Sequence, residues 1–78
     1  MKHIRFDIVR IEIESEPLLN GAWQPQWFSE RDGVFFRHTS IRWFQSREEA
    51  NKYAEKMAQR YVRILRLGSK QDIRIKSL

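Results

Sequence analysis

The fold of this chain is decided by the segment from Ser46 to Arg66, which reads SREEANKYAEKMAQRYVRILR. Small and apolar residues recur in it at helical spacing and form one stripe: Ala50, Tyr53, Ala54, Met57, Ala58, Tyr61, Val62 and Leu65. Ser46 and Glu49 have the spacing of a capping box, which marks a helix start. Arginines crowd the last turns, and Gly68 follows as a natural terminator. The pattern predicts one amphipathic helix over about 47–66.

The first predicted strand covers residues 4–13 and changes register in its middle. Ile4 and Ile8 keep one phase of the alternation, whereas Val9 and Ile13 keep the other. The change favours a β-bulge that re-aims the strand. The alternative is that the two halves direct their apolar sides oppositely.

Two more strands are predicted on either side of a tight turn. Asp32-Gly33 is a strong hairpin signal between aromatic-rich runs at 23–29 and 34–43. Pro25 lacks an amide hydrogen, so it indicates an edge position or an irregularity in the first of these runs. Residues 15–22 contain a proline and an Asn-Gly pair and read as a loop or hairpin connection.

These elements predict a single α+β domain covering residues 1–78. Its architecture is a three-stranded antiparallel meander packed on the helix, with a short final strand plausible over about 72–76. Aromatic residues occur on both faces of the predicted strands, although one helix covers only one face of a sheet. The other face is therefore expected to be covered by, or used for, something else.

Composition narrows the class of protein. The chain has 78 residues, of which 41% are hydrophobic and 13% aromatic, and it has no cysteine. A disulfide framework and a thiolate metal site are therefore excluded. Apolar runs of membrane-spanning length are absent from the sequence. We expect an intracellular, cytoplasmic protein that does not enter a membrane.

Charge is distributed unevenly along the chain. Residues 1–36 hold four basic and six acidic side chains, whereas residues 37–78 hold eleven basic and four acidic ones. The net charges are −2 and +7. A concentration of positive charge of this kind is typical of proteins with a polyanionic partner.

Two groups of residues are candidates for a binding surface. Strand aromatics beside arginines can stack on unpaired bases or anchor a protein interface, and cations along the helix can bind phosphates. The interface residues that we expect are Gln24, Gln26, Trp27, Arg37, Arg42, Trp43, Lys52, Lys56, Arg60, Arg63, Arg66 and Lys70. Helix ends attract cations in any case, and most aromatic rings are buried, so each residue also has a purely structural interpretation.

Catalysis and metal binding are not indicated. His3 and His38 lie in separate segments with no metal-ligand spacing. His38-Thr39-Ser40 resembles a nucleophile neighbourhood only superficially, because adjacent strand residues point to opposite faces and no acid orients the imidazole. We expect a non-enzymatic protein without a cofactor.

The segments Gly21 to Trp27 and Phe44 to Tyr53, with Asp32-Gly33 and Arg37 between them, resemble the arm-type DNA-binding domains of phage and transposon tyrosine recombinases. Such domains are three-stranded sheets backed by a helix. The resemblance covers about half of the chain. The sequence has no counterpart of the recombinase catalytic domain. It implies insertion of a sheet face into a DNA groove, with polar reading positions at Gln24, Gln26, Arg37 and Arg42.

The leading hypothesis is a non-catalytic accessory protein that binds nucleic acid, DNA in preference to RNA. The alternative is a small protein-binding module, a subunit, adaptor or inhibitor of a larger machine, which uses the spare aromatic sheet face. A homodimer would be one way to cover that face.

Overall fold

The computed structural model describes residues 2–5 and 9–77, with the side chains of residues 2–4 and 9–67. The elements in chain order are β1 (Lys2–Arg5), β2 (Arg10–Ile13), β3 (Glu16–Pro17), β4 (Trp23–Gln24), β5 (Gln26–Arg31), β6 (Val34–Thr39) and α1 (Arg47–Ser77). Strands β1, β2, β5 and β6 form one antiparallel sheet in that order, and β3 and β4 pair separately. The predicted α+β class, with an antiparallel meander and one C-terminal helix, is confirmed.

The main sheet has four strands, so the prediction of three was wrong. Residues expected to form one bulged strand instead form a hairpin, in which β1 pairs with β2 and Ile4 lies directly opposite Ile11. Directly paired residues share a sheet face, so chain reversal explains the change of apolar phase without a bulge. Residues 6–8, on one side of the expected bulge, lie outside the described part of the chain.

The Asp32-Gly33 turn joins β5 to β6 as predicted. Arg31 pairs with Val34, and both turn residues have positive φ, 53° at Asp32 and 79° at Gly33. Positive φ at both central positions defines a type I′ turn, whose twist matches that of the flanking strands. The last strand ends at Thr39, however, and the predicted continuation to residue 43 leaves the sheet.

Pro25 interrupts the strand that contains it, as the sequence indicated. It separates β4 from β5 and leaves the adjacent ladder position without a backbone donor. Ser40 N donates to Pro25 O at 3.2 Å, but the return bond cannot form. Gln24 Nε2 donates to Ser40 O at 2.8 Å in its place. A side-chain amide thus replaces the missing backbone N–H.

The start of α1 follows the predicted cap, because Glu49 N donates to Ser46 Oγ at 3.2 Å. Ala50, Ala54 and Ala58 are fully buried, and their small side chains allow the helix backbone to approach the sheet closely. The core cluster lies between α1 and one sheet face and consists of Val9, Ile11, Ile13, Trp27, Ala54, Ala58 and Val62.

The helix is longer than the sequence indicated. It passes through Gly68 and ends at Ser77, so the predicted end near residue 66 and the predicted final strand over 72–76 are both wrong. One glycine in a helix interior costs only about 1 kcal/mol relative to alanine. No proline follows Gly68 to stop the helix.

Candidate nucleic-acid interface

A row of cations follows the solvent side of α1. Lys52, Lys56, Arg60 and Arg63 are all exposed, and we call these four residues the basic ridge. They are three or four residues apart, which places them on one helix side, opposite the buried alanine stripe. At the rise of an α-helix, the eleven residue steps from Lys52 to Arg63 span about 16 Å.

The charge of the basic ridge is not neutralised by any acid in the part of the chain whose side chains are described. Among the side chains that the structure describes, its four members form no ion pair. Cations on the strands differ: Lys2 Nζ lies 2.7 Å from Glu55 Oε2, and Arg10 pairs with Glu30. The free positive charge is therefore concentrated on the helix.

Two further predicted cations belong to the same helix. Arg66 is exposed, one turn beyond Arg63. Lys70 lies in the helical segment, but its side chain is outside the described part. The backbone therefore continues the line of the basic ridge past Arg63.

The loop of residues 40–44, here called the Trp43 loop, is held at both ends. Ser40 is fixed to Pro25 and Gln24, as described above. At the other end, Trp23 N donates to Phe44 O at 2.7 Å, and Phe44 N donates to Trp23 O at 2.8 Å. Between these anchors Ile41 is 98% exposed and Trp43 is 61% exposed. A fixed loop that displays two large apolar side chains is suited to contacting a partner.

The Trp43 loop lies against the helix that carries the basic ridge. The guanidinium carbon of Arg42 is 5.3 Å from the centre of the Tyr53 ring, and the Phe44 ring centre is 5.4 Å from it. Lys56 and Arg60 follow Tyr53 by three and seven residues, on the same helix side. Arg42 and the ridge cations are thus brought to one side of the molecule, next to the loop that carries Trp43.

Several predicted interface residues have structural roles inside the domain. Trp27 is only 6% exposed and belongs to the core. Gln26 is buried, and its Nε2 donates to Glu14 O at 3.1 Å. Gln24 serves as the substitute donor beside Pro25. Both glutamine amides thus already donate an internal hydrogen bond, which competes with the groove-reading roles that the resemblance implied.

Arg37 does not join the basic ridge. It lies on β6 opposite Phe28, on the sheet face away from α1, with Nη2 3.8 Å from Glu16 Oε2. Phe28 and Phe35 are on that face too, beside the Arg10–Glu30 ion pair. The face left open by the helix, which the sequence led us to expect, is thus present but mixed in character.

Sequence reasoning missed a polar and aromatic cluster under α1. Ser29 Oγ is 2.9 Å from His38 Nε2, and the His38 ring stacks on Trp27 with centroids 3.7 Å apart. Tyr61 packs against both rings. Burial lowers the pKa of His38 and favours the neutral ring. The Asp32-Gly33 turn fixes the register that brings Ser29 near His38, so this pair could have been found.

The Ser29–His38 pair is better suited to structure than to chemistry. Ser29 is 1% exposed, so its hydroxyl cannot meet a substrate. Next to His38, a cleft of about 280 Å³ opens between the end of β6 and α1, lined by Pro25, Trp27, His38, Thr39, Ser40, Ala54 and Met57. The side chains that line this cleft are mainly apolar.

Among the described residues, no group of three or more acidic or histidine side chains is placed to hold a metal ion. In the same part of the chain, no helix combines the length and apolarity needed to cross a bilayer. Comparison with known proteins gives no match, whether with family models, curated proteins or solved structures.

Proposed function

We propose that this protein is a non-catalytic accessory protein that binds nucleic acid, DNA in preference to RNA, through the basic ridge of α1. The observation that carries the proposal is the row of four exposed cations without acidic partners among the described side chains. Cations held in ion pairs with carboxylates have little to gain from phosphates. Unpaired ones release the counterions of the polyanion when they bind.

The shape of the ridge fits a duplex. A helix with its side chains is about 10–12 Å wide, and the major groove of B-DNA is about 12 Å wide. The corresponding groove of A-form RNA is too narrow and deep to admit it, which favours DNA. Lysines and arginines without fixed polar partners contact phosphates more than base edges, so the binding is expected to depend weakly on sequence.

The Trp43 loop adds an aromatic contact to this surface. Trp43 is exposed on an anchored loop, and Arg42 beside it packs on the helix. An exposed indole can stack on an unpaired base, a contact worth about 1–3 kcal/mol. We therefore expect Trp43→Ala to weaken binding to single-stranded or frayed DNA more than binding to an intact duplex.

Salt dependence tests the proposal directly. Four phosphate contacts predict a slope of about −3.6 in log K against log salt, which is an affinity loss of about 150-fold between about 50 and 200 mM salt. The measurement is fluorescence anisotropy with a labelled DNA duplex and the whole chain. Absence of binding at low salt would refute the proposal.

A matched pair of double variants separates the ridge from net charge. Lys56→Gln with Arg63→Gln removes two ridge cations, so the slope should fall to about −1.8. Lys2→Gln with Arg10→Gln removes the same charge from strand positions that already pair with glutamates, and the slope should stay near the wild-type value. Equal losses in the two variants would show that only total charge matters.

A second candidate function rests on the Trp43 loop alone. Ile41 and Trp43 together offer an exposed apolar anchor of the kind that protein interfaces use. Under this alternative the chain is a small protein-binding module, and a partner recovered from its host would survive nuclease treatment. Its affinity would change little with salt, and Trp43→Ala would abolish binding while the ridge variants would not.

A further inference from the structure

The two edges of the main sheet differ in how they are protected. Natural sheets place charged residues, particularly lysine, on their edge strands, where these residues prevent pairing with another chain. The β1 edge has the sequence Lys-His-Ile-Arg. The β6 edge instead exposes three apolar side chains in a row: Val34 at 51%, Phe35 at 65% and Phe36 at 47%. The second edge is six residues long and has a single charged residue, Arg37.

The backbone pattern shows which groups of β6 remain free. Ser40 N bonds to Pro25 O, on the β5 side. Because successive residues of an antiparallel strand bond alternately to its two neighbours, His38 and Phe36 also direct their backbone groups to β5. Phe35, Arg37 and Thr39 therefore direct theirs away from the sheet.

We propose that a second copy of this chain occupies the β6 edge, with the two β6 strands antiparallel across a two-fold axis and Phe36 opposite Phe36 of the other copy. In this register Phe35 and Arg37 of one copy form hydrogen-bonded pairs with Arg37 and Phe35 of the other. Each guanidinium then lies beside an aromatic ring, which is a favourable cation–π arrangement. The inference does not depend on nucleic-acid binding.

The alternative registers are less favourable. Placing the axis at Arg37 would set two guanidinium groups directly opposite each other, and like charges in that position are destabilising. An axis between two residues would align free backbone groups with groups already bonded to β5. Only registers centred on a residue remain, and they put both copies of α1 on the same face of the joined sheet. An axis at Phe35 or His38 would pair only three of the six β6 residues, whereas an axis at Phe36 pairs five.

The helix adds apolar surface on the same side. Tyr61 packs on His38, and Ile64, 66% exposed, lies one turn further along that side of α1. Still, the surface area that the exposed side chains of β6 can bury is less than the standard interface area of about 800 Å² per partner. We therefore expect a dimer that dissociates at micromolar concentration.

Sedimentation equilibrium of the whole chain measures this association. The wild type should pass from monomer to dimer over about 1–500 µM, a range set by the small interface. Phe35→Lys should raise the dissociation constant at least about tenfold by placing a cation beside Arg37. Leu19→Lys, at an exposed apolar residue outside β6, is the matched control and should leave the dissociation constant unchanged. A wild type that stays monomeric throughout overturns the proposal, as does an equal effect of the two variants.

Single-cysteine variants test the register, since the chain has no cysteine of its own. Phe36 pairs with its own copy at a position without hydrogen bonds, where Cα atoms are about 4.5 Å apart, within disulfide range. Phe36→Cys should therefore form a dimer on mild oxidation. Phe35→Cys and Arg37→Cys should cross-link more slowly than Phe36→Cys, and Leu19→Cys measures random collision. Faster cross-linking at residue 35 or 37 than at 36 overturns the register.

Discussion

Replacing Trp27 by alanine distinguishes two roles for this residue. It was expected from the sequence to lie in an interface, but the structure places it in the core. The side chain is 6% exposed and contacts the rings of His38 and Tyr61. A buried indole of about 200 Å² contributes about 5 kcal/mol of transfer free energy as an upper limit. Allowing for partial collapse around the cavity, Trp27→Ala should cost about 3–5 kcal/mol. A domain of this length has about 4–12 kcal/mol in total, so the variant should lose a large fraction of its stability.

Urea unfolding followed by the helical circular dichroism signal is the appropriate assay. With an m-value of about 1 kcal/mol/M, the expected loss lowers the midpoint by about 3–5 M. Trp43→Ala removes the same side chain from a 61% exposed site and should change stability by less than about 0.5 kcal/mol. Equal midpoints for the two variants would refute the assignment of Trp27 to the core. Trp27→Phe, which keeps a ring in the site, should bind DNA as the wild type does.

Three further predictions concern local features. Gln24→Ala removes the substitute donor for Ser40 O and should cost about 1 kcal/mol in chemical unfolding, whereas Gln45→Ala, at an exposed glutamine, should cost almost nothing. Gly33→Ala should cost about 1–2 kcal/mol in thermal unfolding because its φ is positive, although the space around it is open. Burial lowers the pKa of His38, so its stabilising contribution is complete above about pH 6.5, declines as the pH falls through that value and levels off below the folded-state pKa. Melting temperatures measured between about pH 5 and 8 should show this decline in the wild type and lack it in His38→Gln.

The features that could be predicted from sequence are those with a local physical cause. The Ser46 cap depends on residues three apart, and the Asp32-Gly33 turn depends on backbone preferences of two residues. Pro25 interrupts its strand because it lacks a donor, whatever surrounds it. Each of these needs no knowledge of distant neighbours.

The wrong predictions concern distant pairing. Alternation in residues 4–13 is compatible with a bulge or a hairpin, and only the pairing of Ile4 with Ile11 distinguishes them. Whether Trp27 or Trp43 is exposed depends on which strand face meets α1, since both are the same residue type. The helix end near Gly68 was misjudged because a small unfavourable propensity was read as a stop signal.

The candidate site was predictable in part. Spacing alone places Lys52, Lys56 and Arg63 on the solvent side of a helix. It cannot show that Lys2 and Arg10 are neutralised, because Glu55 and Glu30 are far from them in sequence. The concentration of unpaired charge on one side is therefore a property of the fold.

The contrast between the β1 and β6 edges also limits how many copies can associate. Pairing through β6 would give an eight-stranded sheet whose two outer borders are both β1, and each border begins with Lys2-His3. A third copy would meet a border of charged and polar side chains at either end. Growth into a fibre is therefore disfavoured, because formation of one dimer pairs both β6 edges and leaves neither free for another copy.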